Sequence, residues 1–205
     1  TVDARPALFA LHDAPRPGGL YDVLKARAAS GVLAAPVVLE VLLEALGPIW
    51  ENRPVLDGVP LGDCWPHPQL GYTPLHKLSQ WLAYSLIEPL EATGMRIVEL
   101  DGLTGLAEYR NGGLFIDAGV LVPSEDAARV YTVSDPEIVA WRSLTVALLD
   151  RIAPMVRERL GVSTEQFPLA RVLEGGAWAA GREIARMKRA DGGPPLLIHS
   201  DGTVF

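Results

Sequence analysis

Apolar residues from Val37 to Trp50 fall at Val38, Val41, Leu42, Ala45, Leu46 and Ile49, the three-and-four spacing of one helical face, and Glu40 and Glu44 lie elsewhere. Gly47-Pro48 ends that helix. A second helix starts at Thr73-Pro74, where threonine caps a free N–H and proline takes the position that lacks one. It runs to about Glu88, with Leu75, Leu78, Leu82 and Leu86 as its core stripe and Lys77, Gln80, Tyr84 and Glu88 on another face, and Pro89 kinks or ends it. Ser134-Asp-Pro-Glu137 has the pattern of a capping box before a long helix carrying Ile138, Trp141, Leu148, Ile152 and Val156, with a kink at Pro154. A further helix spans roughly Ala177 to Arg189. Met95 to Leu100 and Leu114 to Leu121 read as short strands, and Leu196 to Phe205 as a hairpin turning at Asp201-Gly202. Residues 1–20, with Pro6, Pro15, Pro17 and Gly18-Gly19, read as an irregular arm, and the proline-rich stretch from Asn52 to Tyr72 as an ordered loop. The expected fold is mainly α with a small β element (α+β): one helix-rich domain over 21–205, with short strands around residues 95–121 and 195–205.

Composition narrows the function classes. Apolar residues make up 49% of the 205 and charged residues 21%, enough apolar surface to fold into a packed core. A net charge of -7 lacks the basic face that a nucleic-acid backbone requires, so no nucleic-acid partner is expected. The most apolar stretch, Gly31 to Trp50, is broken by Pro36, Glu40 and Glu44, so no membrane span is expected. The single cysteine, Cys64, excludes an internal disulfide and any cysteine-rich zinc site. It reads as a small packed hydrophobe in a protein of the cytoplasm. The chain begins at Thr1, as a portion of a longer protein would.

Familiar cofactor motifs are missing. Gly176 to Arg182 has the outline of a phosphate loop without its lysine and hydroxyl, and no Gly-x-Gly-x-x-Gly turn occurs. His12, His67, His76 and His199 have no metal-ligand spacing, and no Gly-x-Ser-x-Gly elbow is present. Neither a metal nor a cofactor is therefore expected. Polar chemistry concentrates in the segment Asp101-Gly-Leu-Thr-Gly-Leu-Ala-Glu-Tyr-Arg-Asn-Gly-Gly113, a glycine-rich loop between the two strands that is either solvated surface or a ligand site. The Lys77, Gln80, Tyr84 and Glu88 face is either wet surface or a wall for a polar ligand. Glu174-Gly-Gly176 stands at a helix entrance, where free N–H groups bind anions, or is a plain chain break. Arg142 and Arg182 read equally well as surface charges.

Several long runs resemble the uracil-catabolism four family of fungi and bacteria. They are Leu61-Gly-Asp-Cys-Trp65, His76-Lys-Leu-Ser-Gln-Trp-Leu-Ala-Tyr-Ser-Leu-Ile-Glu-Pro89, the whole Asp101 to Gly113 segment, Arg171-Val-Leu-Glu-Gly-Gly-Ala-Trp-Ala-Ala-Gly-Arg182, and Ser200-Asp-Gly-Thr-Val-Phe205. The resemblance covers the chain from Pro17 onward and makes it the C-terminal half of a longer protein, in contact with the N-terminal half or with a second copy of itself. It implies a place in pyrimidine degradation, most simply hydrolysis of the N-glycosidic bond of ribosylurea or its 5′-phosphate. On that reading a carboxylate stabilises the positive charge that develops on the sugar, and the urea leaving group takes a proton. Asp101 is then the principal carboxylate, with Glu174 the second catalytic candidate. Glu108, Arg110 and Asn111 contact the leaving group, the ribose or a 5′-phosphate. His76, Lys77, Gln80 and Tyr84 line an opposite wall, and Arg182 and Asp201 complete the substrate contacts. The rival readings are an amidohydrolase acting on the ureido carbonyl, and a non-catalytic ligand-binding or scaffolding subunit.

Overall fold

A computed structural model describes residues 17–50, 52–123, 129–200 and 202–204. The chain forms two compact units, Thr1–Cys64 with Leu78–Leu103, and Trp65–Lys77 with Thr104–Phe205. It is mainly helical, with strands paired only two by two among the described residues, which is the α+β class expected.

The first unit is organised by the helix seen in the sequence. Helix α1, Pro17–Arg27, begins inside the stretch read as irregular, and strand β1, Val32–Ala34, leads into α2, Ala35–Leu46. A proline in the first turn suits α2, because the N–H it lacks has no partner there. The periodic residues Val38, Val41 and Leu42 are completely buried. A short 3₁₀ turn, Gly47–Ile49, follows. The expected loop holds a hairpin, β2 (Val55–Leu56) with β3 (Val59–Pro60). Two further short strands, β4 (Cys64–His67) and β5 (Gly71–Pro74), also pair. Strand β5 thus occupies the expected helix start, and α3 runs Lys77–Ala92 with Pro89 inside it. Strand β6, Arg96–Val98, pairs parallel with β1, Leu33 opposite Ile97. Leu33, Ala83, Leu90 and Ile97 share one apolar core with α2.

The face of α3 differs from expectation. Leu82 and Trp81 are exposed, whereas Lys77, Ser79, Gln80 and Ala83 are buried. Of the leucine stripe, Leu75 is buried and Leu86 packs against the apolar core, while Leu82 faces outward and polar side chains share the interior.

The second unit is built on three helical segments. Helix α4, Tyr109–Asp117, replaces the expected strand at Leu114 to Leu121, and the chain leaves it by a turn in which Val120 and Leu121 donate to the Phe115 carbonyl. Strand β7, Val130–Thr132, precedes the long α5, Pro136–Leu160. The capping box does not form: Asp135 is the N-cap, and its carboxylate accepts the Thr132 N–H at 2.8 Å. Gly161 closes α5 in the left-handed conformation, φ +66°. A continuous helical path then runs through α6 (Leu169–Arg171), a wide π-helical stretch (Val172–Trp178) and α7 (Ala179–Lys188). Strand β8, Leu197–His199, pairs parallel with β7, so this end of the chain is a crossover rather than the expected hairpin; the turn residue Asp201 lies outside the described residues.

Close helix contact explains why α4 read as a loop. A Cβ at Gly112 would stand 2.7 Å from Thr145 Oγ1 and 2.9 Å from Trp141 Nε1, and a Cβ at Gly181 would strike the Arg110 carbonyl oxygen. Both glycines are buried and let α4 meet α5 backbone to side chain and α7 backbone to backbone. Gly175, in the π stretch, faces open space instead. Gly181→Ala should therefore destabilise the protein by about 2 kcal/mol, since the obstacle is backbone. Gly175→Ala should be neutral or gain up to ~1 kcal/mol from helix propensity. Urea denaturation of both variants checks this; equal behaviour would refute the packing explanation.

Candidate functional site

The start of α4 carries the densest buried polar chemistry in the second unit. Glu108 is its N-cap, in extended conformation, and its carboxylate accepts the N–H groups of Arg110 at 2.8 Å and Asn111 at 2.6 Å. These N–H groups have no partner inside the helix, so the cap satisfies two orphan donors. Glu108 is nevertheless only 9% exposed. Burial, the largest influence, pushes its carboxyl above the ordinary glutamate range, against the two backbone N–H groups and the positive charges of Lys77 and Arg110.

Its surroundings are fixed from several elements. Lys77 is buried, and the preceding His76 adopts the left-handed conformation with φ +44°, a strained choice for a residue with a Cβ. Arg142 of α5 is completely buried; its Nε donates to the Ala107 carbonyl at 3.1 Å and an Nη to the Val204 carbonyl at 2.9 Å. Asn111 is 1% exposed. Its Nδ2 donates to the Leu106 carbonyl at 3.3 Å, and its Oδ1 has no hydrogen-bond partner among the described residues. At the far end of α4, Asp117 forms a two-pronged ion pair with Arg189.

Of the residues expected from sequence, His76, Lys77, Glu108, Arg110 and Asn111 belong to the second unit, and Lys77 and Arg110 lie close enough to act on Glu108 by charge. The guanidinium of Arg110 stacks on Tyr109, 4.5 Å from the ring centre, and bonds the Gly192 carbonyl. Gln80, Tyr84 and Asp101 belong to the first unit. Gln80 is buried there, and Tyr84 packs against the α2 core. Asp101 sits exposed on a 3₁₀ turn, Leu100–Gly102, rather than at the mouth of a glycine loop. Glu174 is exposed within the π stretch. Gly175-Gly176 interrupt no helix, so the expected entrance with free N–H groups is not formed. Arg182 stacks on Trp178 at 4.9 Å and lines a shallow groove of about 630 Å³ with Glu183 and Arg186. Asp201 lies outside the described residues.

Sequence reasoning missed Arg142 as an organising residue. Its signal was present: Ile138, Arg142, Thr145 and Leu149 recur at helical spacing, so the arginine lies on the buried stripe of α5. The thiol of Cys64 is pushed up by burial and by the Asp63 charge, which disfavours a nucleophilic thiolate. Among the described residues no cluster of three or more His, Cys, Asp or Glu side chains is placed to hold a metal ion, and no helix is long and apolar enough to cross a membrane.

Comparison with known proteins adds an independent line. The family described as "Protein of unknown function (DUF1688)" matches residues 1–205. "Uracil catabolism protein 4" of Lachancea kluyveri is 38% identical over 240 aligned residues, covering 100% of this chain and 54% of the relative. "Protein urg3" of Schizosaccharomyces pombe is 46% identical over 164 residues, covering 77% of this chain and 41% of the relative. The chain thus spans about half the length of the curated relatives it matches. No solved structure matches at a significant level.

The raised pKa of Glu108 has a thermodynamic consequence. A carboxyl whose folded pKa lies above its unfolded value contributes stability that is complete below the unfolded pKa and is lost as pH rises through the folded one. Relative to Glu108→Gln, the wild-type protein should therefore lose stability as pH rises from the ordinary glutamate range through the raised folded pKa. Thermal melts of the pair across that range test it. A gap that widens in favour of wild type with rising pH would mean that the cap favours the ionised form.

Proposed function

Starting from the fact that the chain belongs to the DUF1688 family, we propose that it acts in uracil catabolism, hydrolysing the N-glycosidic bond of ribosylurea or of its 5′-phosphate. The observation that carries this reading is the buried Glu108 carboxyl, raised toward its protonated form and placed beside Lys77 and Asn111. Urea is a poor leaving group, and a buried carboxyl that holds its proton to higher pH than an ordinary glutamate is suited to protonating the departing nitrogen. In the balanced reaction the bond from C1′ to nitrogen breaks and water oxygen bonds to C1′. One water proton is released and the leaving nitrogen gains one, giving ribose or its phosphate and urea. Asn111 and Lys77 are groups suited to orienting a polar, uncharged leaving group.

The test is release of free urea from ribosylurea and from its 5′-phosphate, by this chain and by a full-length relative. Glu108→Gln is expected to lower turnover by roughly 10²-fold, and Asp101→Asn tests the carboxylate expected from sequence on its own. Binding of ribosylurea without urea release by the full-length protein would favour a ligand-binding subunit and refute the hydrolytic reading.

A further inference from the structure

The carboxamide of Asn111 is oriented by what surrounds it. Its Nδ2 donates to the Leu106 carbonyl, so turning the amide over would press Oδ1 against another oxygen. Oδ1 is therefore the atom that faces away, and it is buried with no hydrogen-bond partner among the described residues. A native structure rarely leaves a buried acceptor unsatisfied, because such a group gives up its water without recompense. The side chain is 1% exposed and belongs to the same first turn that Glu108 caps, with Glu108 itself 9% exposed. Within this part of the second unit the missing partner has to be a hydrogen-bond donor.

The charges nearby choose among donors. Lys77 and Arg110 act on this turn by charge, and Arg142 holds the Ala107 carbonyl one residue before the cap. The positive charges of Lys77 and Arg110 that act on the cap disfavour a further ammonium donor. A neutral N–H fits, and an amide-like one brings its donor at little desolvation penalty compared with an ion. We infer that Asn111 Oδ1 accepts an N–H of a bound neutral ligand of the ureido or imide class, making Asn111 the residue that selects for a nitrogen-bearing group at this site. This deepens the hydrolytic reading above and rests on it for the identity of the ligand, but not for the donor chemistry.

The experiment uses calorimetric binding to the wild-type chain of ribosylurea and of two carbamates in which oxygen replaces one or the other ureido nitrogen. One carbamate should bind at least roughly tenfold more weakly, the loss expected when a buried acceptor keeps its place but loses its donor. The discrimination should persist in Asn111→Asp, which retains an acceptor oxygen, and vanish in Asn111→Ser. Because the serine variant loses the bond to Leu106 and the aspartate variant sets an oxygen against that carbonyl, either can fail to fold, and the wild-type series carries the test alone if they do. Equal binding of all three ligands, or of ribose itself as tightly, overturns the inference and leaves Oδ1 serving water. Absence of binding by any ureido ligand overturns it as well. Urea release that is indifferent to Asn111 sinks this inference and spares the hydrolytic reading; N–H-dependent binding without urea release does the reverse.

Discussion

The second unit depends on a cation with no access to water. Arg142 is completely buried, and its guanidinium reaches the carbonyl of Ala107 in one direction and that of Val204 in another. Removing a charge from water is costly unless hydrogen bonds replace hydration, and carbonyl dipoles supply them here. The result is that one side chain of α5 fixes both the segment entering α4 and residues near the chain's end. Ala107 and Val204 also share an apolar cluster with Trp65, Leu75 and Val139, so packing and hydrogen bonding hold the same two segments. Glu108 follows Ala107 directly, and the position of the cap is set by this anchor.

From the cap onward, helix α4 is held by close approach. Gly112 admits Trp141 and Thr145, and the Trp141 indole donates to the Gly112 carbonyl at 3.1 Å. Gly181 admits the backbone of Arg110 on the opposite contact. The far end is tied by the Asp117–Arg189 pair, whose carboxylate is 4% exposed and whose guanidinium also bonds the Gly193 carbonyl. A nine-residue helix is too short to be stable by itself in water. Its order is tertiary, and the site at its first turn inherits that rigidity.

Much of this was legible in the sequence, and the misses share a physical cause. The α2 helix, the long α5 and the strand at Arg96–Val98 follow from periodicity and β-branched content, because there local preference and tertiary packing agree. Leu114 to Leu121 has strand-like composition and follows two glycines, so local preference favoured loop then strand; packing against Trp141, Thr145 and α7 made it helix and turn. Gly175-Gly176 looked like a break for the same reason, yet the helical path widens there and continues. Glu108, Arg110, Asn111, His76 and Lys77 were legible as polar residues in an otherwise apolar setting. That they share the second unit while Asp101 belongs to the first was not, since the strand-to-loop junction expected at Asp101 is not made by the fold. Arg142 could be found only by noticing that a charge fell on a buried stripe.

The behaviour of Glu108 shows why no short motif announces the chemistry. Two backbone N–H groups and two cations all favour the ionised carboxylate, and on an exposed helix they would keep it so. Burial opposes them and prevails. That burial is a product of the surrounding architecture: the buried Arg142 anchor, the apolar cluster around Ala107 and the glycine contacts that draw α4 inward. Much of that architecture, Arg142, Val139, Trp141, Gly181 and Val204 among it, lies far from Glu108 in sequence. A capping glutamate becomes a proton-holding group only when the packing around it is complete, so the property belongs to the fold of this unit rather than to any local string of residues.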